Sequence, residues 1–158
     1  MRVEQGDIWT IATKHPDNVV VVPTNVGWRC GGANVMGAGL AKHAATFDKQ
    51  FPLSYGRWCK QYGDRIFMHY SSPLERWLCA APSKPLTASA PHLSWKNLAT
   101  MEMVTNSLNQ IKEEAVIRSH LDWYIPIIGA GNGGLDQDDV CKVIDEMEWS
   151  ENTTLVIP

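Results

Sequence analysis

Two glycine-rich segments concentrate the chemistry available to this chain. The first runs out of Asn25 and contains Val35-Met36-Gly37-Ala38-Gly39-Leu40-Ala41. The second is Ile127-Ile128-Gly129-Ala130-Gly131-Asn132-Gly133-Gly134-Leu135. Residues without a Cβ let backbone amides come close to a ligand, and a helix that starts after such a loop adds the positive end of its dipole. One such cradle takes a phosphate; two facing each other suit a diphosphate. No Gly-Lys-Ser/Thr follows either loop, so neither is a Walker loop. Neither is a GxGxxG with an acidic residue roughly 20 positions on.

The remaining reactive side chains read more plainly. His15, His43, His69, His92 and His120 show no metal-ligand spacing, and Cys30, Cys59, Cys79 and Cys141 form no CxxC pair. The expectation is free, mostly buried thiols, with no bound metal and no disulfide. His43, just past the first loop, is a further candidate to face a ligand. Asp136, Asp138 and Asp139 read as acids at a helix N-terminus, and Trp95 and Tyr124 as packing residues.

Elements that position these loops follow from periodicity. Val19-Val20-Val21-Val22, ended by Pro23, is the pattern of a strand buried on both faces. Further strands are predicted at Ile66–Tyr70, Trp77–Ala81, Tyr124–Ile128 and Thr153–Ile157, and from Val3 to near Gly6. Apolar residues at Met101, Val104, Leu108, Ile111 and Ala115 make one helical stripe, with Ser94 as its predicted N-cap. Gly39–Phe51 and Asp138–Met147 read as helices. Pro52-Leu53 is expected to break the first of these, with another helix over Leu53–Tyr62. Strands alternating with helices imply an α/β fold with a mainly parallel sheet, whose ligands bind at the carboxyl ends of strands.

The three motifs in order resemble the macro domain family, over nearly the whole length. Gln5-Gly6-Asp7-Ile8 looks like the family's opening signature, and Asn25 with Val35–Ala41 like its distal-ribose loop. Ile128–Leu135 looks like its diphosphate loop. The resemblance implies a three-layer α/β/α sandwich with a mixed, mainly parallel central sheet. It implies ADP-ribose as ligand, with adenine at Asp7 and Ile8. The rest of the ligand falls to Asn25, Gly37, Ala38, Gly39 and Leu40, and to Gly129, Ala130, Gly131, Asn132, Gly133, Gly134 and Leu135. The Met-Gly-x-Gly-Leu-Ala form is similar to the branch holding the animal terminal ADP-ribose protein glycohydrolase and the bacterial DNA ADP-ribosyl glycohydrolase antitoxin. In that branch a lysine acts at the anomeric carbon of the distal ribose, and Lys84 is the matching residue. Gly133 stands where the animal enzyme has an acid, and Gln137 where the antitoxins often carry an aromatic. Trp28–Asn34 is an insertion expected to widen or cover the pocket.

Size and composition are consistent with one domain spanning 158 residues: 44% hydrophobic, 20% charged and 9% aromatic. No apolar run approaches a membrane span and Met1-Arg2-Val3-Glu4 does not open a signal peptide, so a cytoplasmic monomer without membrane contact is expected. A net charge of −3 argues against a general nucleic-acid coat. Residues 1–100 nevertheless carry 11 Lys and Arg against 6 Asp and Glu, and residues 101–158 carry 3 against 11. The expected activity is hydrolysis of an ADP-ribosyl linkage on a macromolecule, DNA or protein, without a cofactor. An ADP-ribose 1″-phosphate phosphatase and a non-catalytic ADP-ribose-binding module are the alternatives.

Overall fold

A valine run has to bury side chains on both of its faces, and β2 (Asn18–Asn25) does so at the centre of a six-stranded sheet. A computed structural model describes residues 1–158. Strand order is β1-β6-β5-β2-β4-β3, with β1 (Arg2–Gln5), β6 (Thr153–Ile157), β5 (Asp122–Ile125), β2 and β4 (Arg76–Lys84) mutually parallel. Only β3 (Phe67–Ser71) runs antiparallel, against β4. The sheet is therefore mixed and mainly parallel, as expected.

Two cores flank it. Val19 and Val21 join Trp123, Ile125 and Leu155 under α4 (Met101–Ile117) and α5 (Gln137–Asp145), which contribute Val104, Leu108, Ile111, Val140 and Ile144. Val20 and Val22 join Leu78, Ala80 and Val156 on the other face. That face is covered by α1 (Ile8–Ile11), α2 (Gly39–Phe47) and α3 (Gln50–Tyr62) through Ile8, Ala41, Ala44, Phe51 and Tyr55. The α/β/α layering follows directly, because a parallel sheet is stable only with both faces covered.

Three local expectations change. Ser94 does not cap α4; it lies in a 3-10 turn, Pro91–Lys96, where its Oγ accepts from the Thr87 N–H at 2.9 Å. Thr100 is the cap, accepting from the Met103 N–H. The break after α2 falls at Asp48-Lys49 rather than Pro52-Leu53. Asp48 Oδ1 receives the Gln50 N–H at 3.0 Å, and Pro52 sits in the first turn of α3, where a missing N–H costs nothing. All four thiols are free, but Cys30 is exposed and Cys141 only partly covered; burial pushes the Cys59 thiol up to about 12.

Candidate functional site

The carboxyl ends of β2, β4, β5 and β6 open into one cavity of about 870 Å³. β2 contributes Pro23, Thr24 and Asn25, β4 contributes Ser83 and Lys84, and Pro126 and Pro158 follow β5 and β6. Both glycine loops border it. Gly37, Ala38, Gly39 and Leu40 line one side at the start of α2, and Gly129, Ala130, Gly131, Asn132 and Gly133 line another. Helix α2 begins at Ala38 with no side-chain cap and no acid in its first turn. Its first amides therefore have no intrahelical acceptor and lie at the cavity wall, a ready anion site. Gly129 has φ +86°, and a Cβ there would fall 2.7 Å from Val104 Cγ2 and 2.8 Å from Leu135 Cδ1, so only glycine fits.

Lys84 ends β4 in register with Asn25, after a bulge between Thr24 and Asn25. Its Nζ donates to the Trp95 carbonyl at 3.0 Å. Burial holds its pKa below the 10.5 of an ordinary lysine, with no neighbouring carboxylate to oppose the shift. No Asp or Glu lines the cavity at all; its charged side chains are Arg29 and Lys84, accompanied by His92. Such a wall favours an anionic ligand.

Four residues assigned from the resemblance do not line the cavity. Asp7 is the N-cap of α1, its Oδ2 accepting from the Thr10 N–H at 3.2 Å and the Thr10 hydroxyl at 2.9 Å. It is exposed, while Ile8 packs into the core; Gly6, just before, bonds to the Ile157 carbonyl beside the cavity residue Pro158. Gly134 is left-handed and rests near Leu98, and the Leu135 N–H closes the loop on the Gly129 carbonyl at 3.0 Å. These last two shape the loop from behind.

Other parts of the wall come from segments with no motif to announce them. Trp95, expected to be a packing residue, is 46% exposed and lines the cavity beside His92 and Leu93. His43 does not reach the cavity; it stacks on Trp9 with ring centroids 4.7 Å apart. Tyr124 packs against the core as expected. The Trp28–Asn34 insertion does not cover the cavity. Its turn closes through the Arg29 N–H on the Ala33 carbonyl and folds onto α3, and of that segment only Arg29 lines the wall.

No protein-family model and no curated protein sequence matches the chain. Solved structures do. The macrodomain of Thermus aquaticus DarG is 23% identical, with a TM-score of 0.74 over 99% of this chain and 95% of that one. The macrodomain of Mycobacterium tuberculosis DarG is 18% identical, with a TM-score of 0.72 over 99% and 97%. Thermosipho africanus DarTG, solved in complex with ADP-ribose, is 19% identical with a TM-score of 0.72; the match covers 99% of this chain but 42% of that one. Sheet order, two-sided helical cover and these superpositions together establish that this chain has the macrodomain fold.

Proposed function

We propose that the cavity binds ADP-ribose and that the chain hydrolyses an ADP-ribosyl linkage to a macromolecule, with Lys84 acting at the anomeric carbon of the distal ribose. The observation that carries this reading is the placement of Lys84, its pKa lowered by burial, in the same cavity as both glycine loops and in register with Asn25. The loops suit the diphosphate, since each offers backbone amides and α2 adds its dipole. Asn25 and Lys84 then stand by the distal ribose, while adenine extends past Pro158 toward Asp7 and Ile8. Asp7 retains an oxygen, Oδ1, with no partner within the protein. No Asp or Glu side chain lines the wall, and the Lys84 amine, partly desolvated there, is the group we assign to the reaction. In one route the neutral amine attacks the anomeric carbon as the acceptor leaves with the bonding pair and takes up a proton; the ring opens to an imine, and water releases ADP-ribose and the free amine. In the other, the ammonium gives the departing acceptor a proton while water adds to the anomeric carbon. The ADP-ribose-bound DarTG structure supports the ligand class.

A second reading has one observation in its favour. Arg29, Lys84 and His92 on a wall without acids also suit the extra phosphate of ADP-ribose 1″-phosphate. Incubation with ADP-ribosylated DNA, ADP-ribosylated protein and ADP-ribose 1″-phosphate, followed by product analysis, separates the two. The hydrolase reading expects free ADP-ribose from a macromolecular substrate and none from the Lys84→Ala variant. Release of phosphate alone favours the phosphatase. Binding without turnover of any substrate leaves a binding module, and no saturable binding at millimolar ADP-ribose removes all three.

A further inference from the structure

Asn25 ends β2 at the cavity wall with its carboxamide held from several sides. Its Oδ1 accepts from the Gly27 N–H at 2.9 Å, and its Nδ2 donates to the Val35 carbonyl at 2.9 Å. Because one partner is an obligate donor and the other an obligate acceptor, the amide has one possible orientation. The insertion supplies the remaining support. Asn34 Nδ2 lies 3.0 Å from Asn25 Oδ1, 3.1 Å from the Asn25 carbonyl and 2.8 Å from the Gly27 carbonyl. Three acceptors around one nitrogen settle the Asn34 orientation too, since a flip would set oxygen against oxygen.

Asn34 is 2% exposed, and its own Oδ1 meets no donor. A buried carbonyl without a partner is destabilising, so the site meets the nitrogen's needs and leaves the oxygen's unmet. The backbone behind it is fixed. Asn34 N–H donates to the Pro52 carbonyl at 2.9 Å, and the Gly32 carbonyl presses so close to α3 that a Cβ on Gly56 would stand 1.9 Å from it.

We infer that Asn34 is a positioning residue: from the insertion, it holds the Asn25 carboxamide so that the second Nδ2 proton, unpartnered within the protein, is presented to a ligand hydroxyl. This rests on the reading above, in which Asn25 stands by the distal ribose. The insertion thus serves the cavity from behind.

The test compares ADP-ribose with ADP, which lacks the distal ribose, in the parent, Asn34→Leu, Asn25→Ala and the double variant. Asn34→Leu should weaken ADP-ribose binding roughly tenfold and leave ADP binding within about twofold. On the Asn25→Ala background it should add nothing, because both changes remove one interaction. Equal losses for both nucleotides, or a full loss that persists without Asn25, would overturn the assignment. Side-chain amide NMR of the ligand-free protein supplies an independent arm. The Asn25 amide protons should shift and exchange faster in Asn34→Leu. Unchanged protons overturn the positioning role even where neither nucleotide binds, a result that by itself overturns only the ADP-ribose reading. Asn34→Ala carries the same arms if Asn34→Leu misfolds.

Discussion

Gly39 and Asn132 meet across the cavity: a Cβ on Gly39 would stand 3.5 Å from Asn132 Nδ2. One belongs to the loop after β2 and the other to the loop after β5, so two segments distant in sequence form a single cradle. A diphosphate between them would receive amides from both sides.

Two matched glycines test this placement. Gly131 and Gly63 have φ of +65° and +64°, and a Cβ on either meets nothing within 4 Å. Leucine at either position should therefore cost stability through its positive φ, by about 1 kcal/mol or more. Only Gly131 lines the cavity. Titration with ADP-ribose should show a large loss for Gly131→Leu and none for Gly63→Leu. Parity between the two places the ligand elsewhere.

Asp7 carries two duties that substitution can separate. Asp7→Ala should lower stability by about 1 kcal/mol through loss of the α1 cap. It should also weaken ADP-ribose binding roughly 10- to 100-fold if the free oxygen accepts from the adenine amine. Asp7→Ser should restore the cap without restoring affinity. Thermal melts and titrations of both variants give the answer, and recovery of affinity by serine would reduce Asp7 to a helix cap.

Lys84 sets the expected pH dependence of turnover. Burial disfavours its charged form, so the neutral amine gains population as pH rises, and if that amine attacks, hydrolysis should climb to a plateau reached below 10.5. Lys84→Ala should abolish turnover while ADP-ribose affinity falls no more than roughly tenfold, since a partly exposed charge contact is worth about 1 kcal/mol. If the covalent route operates, borohydride added with ADP-ribose should trap an adduct on Lys84, detectable by peptide mass. A rate that declines across the same pH range would exclude attack by the neutral amine and leave Lys84 as the proton donor, acting as its ammonium.

Asp48 and His69 make a buried pair at 3.0 Å that ties the start of α3 to β3. Burial alone raises the Asp48 pKa, but hydrogen bonds from Ser71 and His69, the His69 charge and the Gln50 N–H outweigh it, leaving a net lowering. A carboxylate with a depressed pKa stabilises the fold above its unfolded pKa, and that contribution fades as pH falls through the folded value. Asp48→Ala should cost about 2–3 kcal/mol near neutrality and less in acid. Chemical denaturation at several pH values measures the difference, and an equal cost at every pH would rule out the linkage.

Readability from sequence followed the range of the interaction. The Val19–Val22 run and the Met101–Ala115 stripe report local periodicity against a core, and both form their elements. Thr100 was as visible as Ser94; what decided between them was the 3-10 turn that engages the Ser94 hydroxyl locally. The glycine loops were legible because close backbone approach needs a residue type. Arg29, His92, Trp95 and Pro158 were not, because each reaches the cavity through the fold, from separate segments with no shared spacing. Asn34 is the same case, since its three acceptors come from a strand end that adjoins it only once the insertion has turned back.

The uncapped start of α2 makes any anion bound there part of the architecture as well as its cargo. Asp7, Thr100 and Asp136 meet that need for α1, α4 and α5, and at α3 the Asp48 carboxylate takes the Gln50 N–H. At α2 no side chain does so, and the amides are left to solvent or to a guest. Occupancy and resistance to unfolding are then one thermodynamic quantity. The unfolding midpoint should rise with the logarithm of ligand concentration, by about 2.7 kcal/mol of stability at a hundredfold excess over Kd. Heat alone, with no labelled substrate, becomes a screen for whichever nucleotide the cell provides.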